Sequence, residues 1–279
     1  MTKGELASGR SLRDLPKTAL FRILEFWQIP GPLWANHSSR ADLSTGGITM
    51  IISHRHKFIF LRTTKTASTS MEISLSRFCG PEDVITPINP LDEPVRSELG
   101  IVPQNYTRPR KPWEFRPKDI VRYLLRKQWP EKILYWNHMP AQLVRERVTP
   151  AVWNSYFKFC FVRNPWDRAI SRYYWNLSRD ARQTNLNKSL RRNDPNSNFE
   201  IYAIDGKLAV DFVGKFENMQ ADLQKVYERL NLPFDGWLPR TKAKSRVDKR
   251  HYSDLLSPKQ AEYIRQKCRQ EIEFFNYAY

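Results

Sequence analysis

Two short apolar runs place the strongest limit on how this chain can fold. Lys57–Arg62 (KFIFLR) and Phe157–Val162 (FKFCFV) have the length and the aromatic-rich composition of buried β-strands. Each run is followed by a polar turn and then by a segment whose apolar residues recur at helical spacing, Thr69–Cys79 after the first and Trp166–Leu177 after the second. Strands that alternate with helices predict an α/β, P-loop-like three-layer fold with a central, mostly parallel sheet flanked by helices.

The same patterns predict the remaining elements. Further strands are expected at Ile133–Trp136 and Val210–Phe216, and further helices at Pro140–Val148, Met219–Leu230 and Pro258–Phe275. Residues 81–118 and 180–199 are polar and charged, which predicts long irregular segments. Thr69 with Glu72 three residues later matches a helix-capping box. Residues 1–46 are expected to be an extension with one short helix, and residues 47–279 to form one domain.

The charge of the chain indicates an anionic partner. Its net charge is +17, from 46 basic and 29 acidic residues. Nucleic acid, a membrane surface, an acidic polysaccharide and a phosphorylated cofactor all fit this charge, and a solvated basic surface is the alternative. Arg108–Lys127 carries eight basic and two acidic residues, so it is either a lining for an anionic acceptor or a solvated loop and helix face.

Cysteine usage and hydropathy indicate the compartment. Cys79, Cys160 and Cys268 are odd in number and far apart, which is typical of reduced thiols rather than of a disulfide framework. No stretch approaches the roughly 18–20 apolar residues of a membrane-spanning helix. Ala19–Trp34, the most apolar part of the first 46 residues, lacks the pattern of a signal peptide. We therefore expect a cytoplasmic protein without a transmembrane segment.

The turn after the first predicted strand is a candidate anion site. Parallel sheets bind ligands beyond the carboxyl ends of their strands, and the N-terminus of a helix offers unpaired N–H groups and partial positive charge. Here Lys65 adds a full charge and the Thr and Ser hydroxyls add donors. No glycine lies between Arg62 and Cys79, so the turn is not a GxxxxGK[ST] loop. A Thr/Ser-rich turn with an exposed lysine remains the alternative.

Two motifs together carry a family resemblance. Lys65–Ser70 (KTASTS) resembles the 5′-phosphosulfate loop of sulfotransferases that use 3′-phosphoadenosine 5′-phosphosulfate (PAPS), especially carbohydrate 2-O-type enzymes and their bacterial and viral relatives. Phe157–Trp175 (FKFCFVRNPWDRAISRYYW) resembles their second strand and 3′-phosphate motif. Residues 47–279 would then be the catalytic domain. The chain departs from the family pattern at Thr64, where proline is usual.

The resemblance implies which residues bind the donor. The 5′ side would be held by the donor loop, Lys65, Thr66, Ala67, Ser68, Thr69 and Ser70. Arg163 and Ser171 would bind the 3′-phosphate, with an ion pair between Arg163 and Asp167 as the alternative for the arginine. A basic loop near the nucleotide would contribute Lys244, with Lys242 and Arg246 as neighbouring candidates. Product release would yield 3′-phosphoadenosine 5′-phosphate (PAP), and no metal is required.

The resemblance also implies the chemistry. Sulfuryl transfer needs in-line attack by an acceptor hydroxyl and stabilisation of the leaving phosphate, which Lys65 would supply. His138 matches a histidine that acts as base in 2-O-type enzymes, and an imidazole with an ordinary pKa of about 6.5 suits that task. A structural histidine is the alternative for His138, and Glu217 is a second candidate base with an N-cap or ion-pair alternative.

The acceptor follows only from the type of relative. Likeness to 2-O-type enzymes predicts a glycan or glycoconjugate hydroxyl, and nucleic acid is not expected as the primary partner. Two other function classes stay open at this point: a basic nucleic-acid-binding protein without chemistry, and another nucleotide-dependent transferase. The missing glycines of an ATP loop and the lack of an evident Mg²⁺ ligand set count against a kinase.

Overall fold

The computed structural model describes residues 50–179, 185–239 and 246–279. The predicted extension (residues 1–46), Lys242 and Lys244 lie outside the described residues. The chain divides into two compact units. The described residues of the larger unit are 50–108 and 131–279, apart from the two gaps, and those of the smaller unit are 109–130.

Short strands and helices alternate along the described residues. The strands are β1 (Ile51–Ser53), β2 (Phe58–Phe60), β3 (Val84–Ile85), β4 (Thr107–Pro109), β5 (Glu131–Ile133), β6 (Phe157–Val162), β7 (Ala203–Ile204), β8 (Lys207–Leu208) and β9 (Phe212–Lys215). The α-helices are α1 (Ser68–Ser76), α2 (Glu93–Ser97), α3 (Pro117–Arg126), α4 (Ala141–Arg147), α5 (Pro150–Ser155), α6 (Pro165–Arg179), α7 (Leu186–Arg192), α8 (Phe199–Tyr202), α9 (Met219–Arg229), α10 (Tyr252–Leu255), α11 (Pro258–Lys267) and α12 (Arg269–Phe275). Single 3₁₀ turns occupy Pro112–Glu114, Pro195–Asn198 and Phe216–Asn218.

The central sheet has the order β3-β1-β2-β6-β9. β2 pairs in parallel with β6, and β6 in parallel with β9. β1 is antiparallel to both β2 and β3, so four of the five strands point the same way. The predicted α/β fold with a central sheet is therefore confirmed. The two strands that lead into the motif turns, β2 and β6, are parallel to each other. The carboxyl ends of β2 and β6 lie at the same edge.

The core lies on both faces of the sheet. Alternate residues of β2 and β6 point to opposite sides, as the two-residue period of a strand requires. Phe58, Phe60, Phe159 and Phe161 pack with α1 and α9 on one face. Ile59, Leu61, Cys160 and Val162 pack with α4 and α8 on the other. This sandwich buries residues 58–62 and 158–162 of the two runs, because aliphatic and aromatic side chains leave water on both faces.

Several predicted elements match the structure and others need correction. β6, α4, α6 and α9 lie at their predicted places, within three residues at each end. The predicted strand Ile133–Trp136 is wrong by two or three residues, and β5 pairs with β4 outside the central sheet. The predicted irregular segment 180–199 contains α7 in its described part, and the predicted closing helix is broken at Cys268 into α11 and α12.

The three cysteines are free, as predicted, and Cys160 and Cys268 are buried. Burial raises the pKa of the Cys268 thiol to about 12, and Glu271 acts in the same direction. Burial likewise raises the pKa of Cys160 well above its ordinary value. Both thiols therefore act as apolar packing groups and not as reactive thiolates.

The smaller unit contains α3 and the turn before it. Asp119 pairs with Arg116 (3.2 Å) and Arg110 (3.5 Å), and Trp129 donates to the Arg110 carbonyl (2.8 Å). These contacts hold one side of α3, while four apolar side chains on the other side are 45–79% exposed: Ile120, Val121, Leu124 and Leu125. The surface of Arg108–Lys127 is thus apolar as well as basic.

Candidate functional site

The donor loop connects β2 to α1 through two left-handed residues. Lys65 has φ 64° and Ala67 has φ 56°, while Thr66 between them has no positive φ. Ala67 is also the N-cap of α1. Alternation of left- and right-handed residues turns successive backbone N–H groups towards one concave side, which is a nest for anions. Because the N-terminus of α1 adds its own N–H groups, the loop has the geometry of a phosphate cradle.

Arg62, two residues after β2, bonds to the residues where the donor loop enters α1. Its Nε donates to Ser68 Oγ at 2.8 Å, and its guanidinium also donates to Thr69 Oγ1. Burial lowers the pKa of Arg62, and the charge of Glu72 opposes that effect. The hydroxyls of Ser68 and Thr69, which are predicted donor-binding residues, therefore accept hydrogen bonds from a buried cation.

The predicted capping box is wrong. Glu72 lies fully buried between Arg62 (3.6 Å) and Arg96 (3.3 Å) instead of reaching back to the helix N-terminus. A carboxylate between two guanidinium groups gains more than one that caps an N–H group, and burial of both arginines requires such a counter-charge. The loop and its helix thus stand on a buried ion cluster formed by Arg62, Glu72 and Arg96.

Arg163 connects the second motif to the donor loop. Its Nη1 donates to the Lys65 carbonyl oxygen at 2.9 Å. The predicted alternative contact is also present, because Arg163 pairs with Asp167 at 2.7 Å. Asp167 is shared with Arg246, whose Nη1 lies 2.6 Å away. Burial lowers the pKa of Arg163, and the Asp167 carboxylate counteracts this effect.

The rest of the second motif lies on α6. Ser171 is half-buried, two helical turns after the end of β6. The Lys65 ammonium lies 4.7 Å from the centre of the Trp175 ring on the same helix, a cation–π distance. α6 therefore contacts the donor loop through Trp175, and Ser171 lies one helical turn before Trp175 on the same helix. Arg246 contacts this helix through Asp167, whereas Lys244 lies outside the described residues.

His138 lies against the same strand end. It has φ 54°, and its Nδ1 lies 2.8 Å from the Arg62 carbonyl oxygen. A carbonyl oxygen can only accept, so Nδ1 carries the proton and donates. In the neutral ring this leaves Nε2 as an acceptor, the tautomer that a general base requires. The strand that precedes His138, β5, is not part of the central sheet.

Glu217, the second candidate base, has a different position. Its Oε1 accepts the backbone N–H of Asn164 at 2.6 Å, and its Oε2 accepts from the Tyr277 hydroxyl at 3.4 Å. These bonds fix the turn after β6. Glu217 is therefore a structural partner of that turn, which is a different role from the N-cap or ion pair expected as its alternative.

Sequence patterns missed two residues that contact the loop. Asn198 forms three hydrogen bonds with Thr64, and Arg172 donates to the Thr64 hydroxyl. Burial and the like charge of Arg168 lower the pKa of Arg172 to about 10, while Asp194 opposes the shift. Arg172 directly follows Ser171 and faces the loop, a position that the motif itself indicates. Asn198 lies in a polar segment without a motif, and only the fold brings it to Thr64.

A cavity at the opposite edge of the sheet is not part of this arrangement. It measures about 520 Å³ and is lined at the starting ends of β6 and β9, by Phe157, Lys158, Asp211 and Phe212 among others. The candidate site therefore rests on the meeting of the donor loop, Arg163 and His138, and not on the size of a cavity.

Comparison with known proteins identifies the family of the chain. A model of the sulfotransferase family matches residues 49–206, which is more than half of the chain. The chain belongs to the sulfotransferase family. The matched range contains Lys65, His138, Arg163 and Ser171 and ends before Arg246. Membership supports sulfuryl transfer as the class of reaction.

A second comparison finds an archaeal relative. A protein of Archaeoglobus fulgidus described as "Uncharacterized protein" is 36% identical over 104 residues, which are 34% of this chain and 84% of that protein. No solved structure matches the chain significantly. In the part of this sulfotransferase-family chain that the structure describes, no helix is long and apolar enough to cross a membrane.

Proposed function

We propose that this chain transfers the sulfuryl group of PAPS to an acceptor hydroxyl by in-line displacement. The observation that carries the proposal is the hydrogen bond from Arg163 to the Lys65 carbonyl oxygen (2.9 Å). It joins the two motifs whose resemblance to the family was independent in sequence. A nucleotide with phosphates at both its 5′ and 3′ positions matches two neighbouring cationic sites on one sheet edge.

Each side of the donor has its own residues in this proposal. The N–H groups of the Lys65–Ser70 loop and the Lys65 ammonium hold the 5′ side. Arg163 and Ser171 hold the 3′-phosphate, and Arg246 strengthens that side through the shared Asp167. Lys244 adds a further cation on the nucleotide side in this proposal. An always-charged, forked guanidinium suits a phosphate, and a buried one keeps its geometry without solvent.

The chemical step needs a base and charge stabilisation. His138 Nε2 takes the proton of the acceptor hydroxyl while the acceptor oxygen bonds to sulfur. The bond between sulfur and the bridging oxygen breaks on the opposite side, and PAP leaves. Negative charge grows on the leaving phosphate, where Lys65 and the N–H groups of the loop stabilise it. Fixed cations supply this stabilisation, so the proposal includes no metal ion.

The acceptor and the compartment are proposed on separate grounds. Resemblance to 2-O-type enzymes supports a carbohydrate or glycoconjugate hydroxyl. Three free thiols, two of them buried, support a reducing compartment such as the cytoplasm.

Calorimetric titration with PAP, in the presence and absence of Mg²⁺, tests the proposal. We expect binding in both conditions, and a rise in Kd of at least about 100-fold for Arg163→Ala, since a guanidinium–phosphate contact is lost. Adenosine 5′-phosphosulfate lacks the 3′-phosphate, so its affinity should change far less in this variant. No binding of PAP to the wild-type chain, or binding only with Mg²⁺, would overturn the proposal.

A further inference from the structure

The donor loop departs from the family pattern at Thr64, and the structure contains a set of contacts at that residue. Proline is usual at this position, as the sequence resemblance indicates. Proline fixes one backbone dihedral of a loop without any partner. Threonine leaves that dihedral free, so another device must hold the loop in the unusual shape that its left-handed residues at Lys65 and Ala67 require.

Asn198 forms hydrogen bonds with both backbone polar groups of Thr64. The Thr64 N–H donates to Asn198 Oδ1 at 3.0 Å, and Asn198 Nδ2 donates to the Thr64 carbonyl oxygen at 3.1 Å. The Thr64 hydroxyl donates to the same Oδ1 at 2.7 Å. A proline at position 64 has no N–H group, so the first of these bonds exists only because proline is absent.

The surroundings make this contact rigid. Asn198 is 1% exposed and closes the 3₁₀ turn Pro195–Asn198, directly before α8. The Arg172 guanidinium donates to the Thr64 hydroxyl from α6. A side-chain amide that is buried and engaged at both ends has one orientation, because every other orientation leaves a buried polar group without a partner. Position 64 is thus held from two elements that lie far away in sequence.

We propose that Asn198 is a positioning residue for the donor loop, and that its clamp on Thr64 replaces the conformational restriction that proline supplies elsewhere in the family. The clamp keeps the N–H groups of the loop aimed at the 5′-phosphate of the donor. Arg172 reinforces it at the hydroxyl. This inference rests on the proposed function for its ligand, but not for its structural part.

The structural part is tested without a ligand. Hydrogen–deuterium exchange of the amides of residues 63–69 should be at least about 10-fold faster in Asn198→Ala, because the bonds that restrain Thr64 are gone. The matched control is Asn193→Ala, whose side chain donates to the Ser189 carbonyl oxygen (3.0 Å) at the end of α7. Thr64→Val, which removes only the hydroxyl bonds, should give a smaller change in the same direction. Unchanged exchange rates in both Asn198→Ala and Thr64→Val would overturn the clamp.

Binding distinguishes positioning from general stability. Asn198→Ala should lower the affinity for PAP by about 10-fold or more, because preorganised donors are lost. The affinity for adenosine 3′-monophosphate should stay unchanged. The second nucleotide has no 5′-phosphate for the loop to hold. Equal weakening of both nucleotides would overturn the positioning role. If the wild-type chain bound neither nucleotide, the proposed function would fail, while the exchange experiment would still decide the clamp.

Restoring the proline gives the sharpest test. Thr64→Pro alone should lower the affinity for PAP, because it leaves Asn198 Oδ1 buried without its N–H donor. In the Asn198→Ala background the same substitution should raise the affinity for PAP. Proline then restricts the backbone at position 64 in place of Asn198, and no N–H group remains unpaired there. This reversal of sign is specific to a clamp that substitutes for proline. Additive losses in the double variant would contradict it.

Discussion

At the scale of single residues, His138 combines a strained backbone with a directed side chain. Its φ of 54° lies in the left-handed region, which costs roughly 1–2 kcal/mol for an L-residue. Asn, Asp and His tolerate that region better than most residues. The strain coincides with the bond from Nδ1 to the Arg62 carbonyl oxygen, at the edge of the donor loop. Strain at a position with a fixed tautomer is typical of a functional side chain.

His138→Asn is the matching test at this scale. Asparagine accepts the left-handed backbone and can donate to the Arg62 carbonyl, but it cannot act as a base. We expect sulfuryl transfer to fall by at least about 100-fold, with an unchanged Kd for PAP. Transfer to a panel of carbohydrate acceptors measures the first quantity and calorimetry the second. His54→Asn, at an exposed histidine that contacts Tyr156 (2.8 Å), is the control. Near wild-type transfer in His138→Asn would remove the residue as base.

Residue-level prediction from sequence succeeded where a side chain follows a strand. Lys65 and Arg163 each lie just beyond an apolar run, so the parallel sheet alone brings them to one edge. Asn198 could not be found in this way. Its partner Thr64 is 134 residues away, and the loop that carries Asn198 has neither periodicity nor a motif. Contacts of that kind depend on tertiary packing, which the local pattern does not encode.

At the scale of elements, α1 shows how burial overrides a local signal. Thr69 and Glu72 have capping-box spacing, but every residue of α1 is buried. In that setting the Glu72 carboxylate pairs with Arg62 and Arg96 instead of capping the helix. The sequence predicted the helix correctly through its apolar face. It did not reveal the ion cluster, because Arg96 arrives from a distant segment.

Removal of the central carboxylate of this cluster should destabilise the fold. Glu72→Gln removes the carboxylate that pairs with Arg62 and that shares Arg96 with Glu93, and we expect a loss of about 3–5 kcal/mol in the free energy of unfolding. Equilibrium urea denaturation measures it. Glu273→Gln is the control, since its pair with Arg269 (2.7 Å) is solvent-exposed and should matter by less than about 1 kcal/mol. Similar losses in the two variants would show that the cluster contributes no more than a surface pair.

The pairing of β6 with β9 depends on a missing side chain. Gly214 lies opposite Phe161, and a Cβ at position 214 would approach the Phe161 ring to 2.4 Å. Gly214→Ala should therefore cost about 1–3 kcal/mol, because the ring is part of the packed core and must shift. The midpoint of urea denaturation measures this loss. In Gly80→Ala the new Cβ would meet Arg55 at an ordinary 3.5 Å, so the midpoint should hardly move. A midpoint unchanged in both variants would contradict the predicted clash.

Apolar periodicity recovered the core elements and failed where polar segments fold. β2 and β6 could be predicted because burial on both sheet faces selects continuous apolar runs, and α6 because its apolar residues recur at helical spacing. α7 is polar along most of its length, with only Ser189 and Leu190 buried, so its sequence resembles a loop. β5 has no apolar run to mark it and pairs outside the main sheet. Such elements are stabilised by neighbours and not by their own pattern.

At the scale of the whole molecule, the net charge of +17 has two distinct parts. Some cations are buried beside the donor loop, as Arg62 and Arg163 are, with side chains 7% and 10% exposed. Among the residues that the structure describes, most of the other cations lie on the surface. Surface charge attracts any polyanion, and salt screens it within about 10 Å at 0.1 M. Buried cations are screened far less. The two parts should therefore respond differently to ionic strength.

This difference separates the sulfotransferase proposal from a nucleic-acid-binding protein. Between about 50 and 200 mM salt, a protein that makes six to ten phosphate contacts loses about 10³–10⁵ in affinity for DNA. We expect such a loss for single-stranded DNA, measured by fluorescence anisotropy. The affinity for PAP, which is held by few and buried contacts, should fall by less than about 10-fold over the same salt range, as measured by calorimetry. Arg163→Ala should lower the affinity for PAP without a comparable change in the affinity for DNA. If DNA binding persisted at high salt while PAP binding disappeared, the basic surface and not the donor loop would be the functional site.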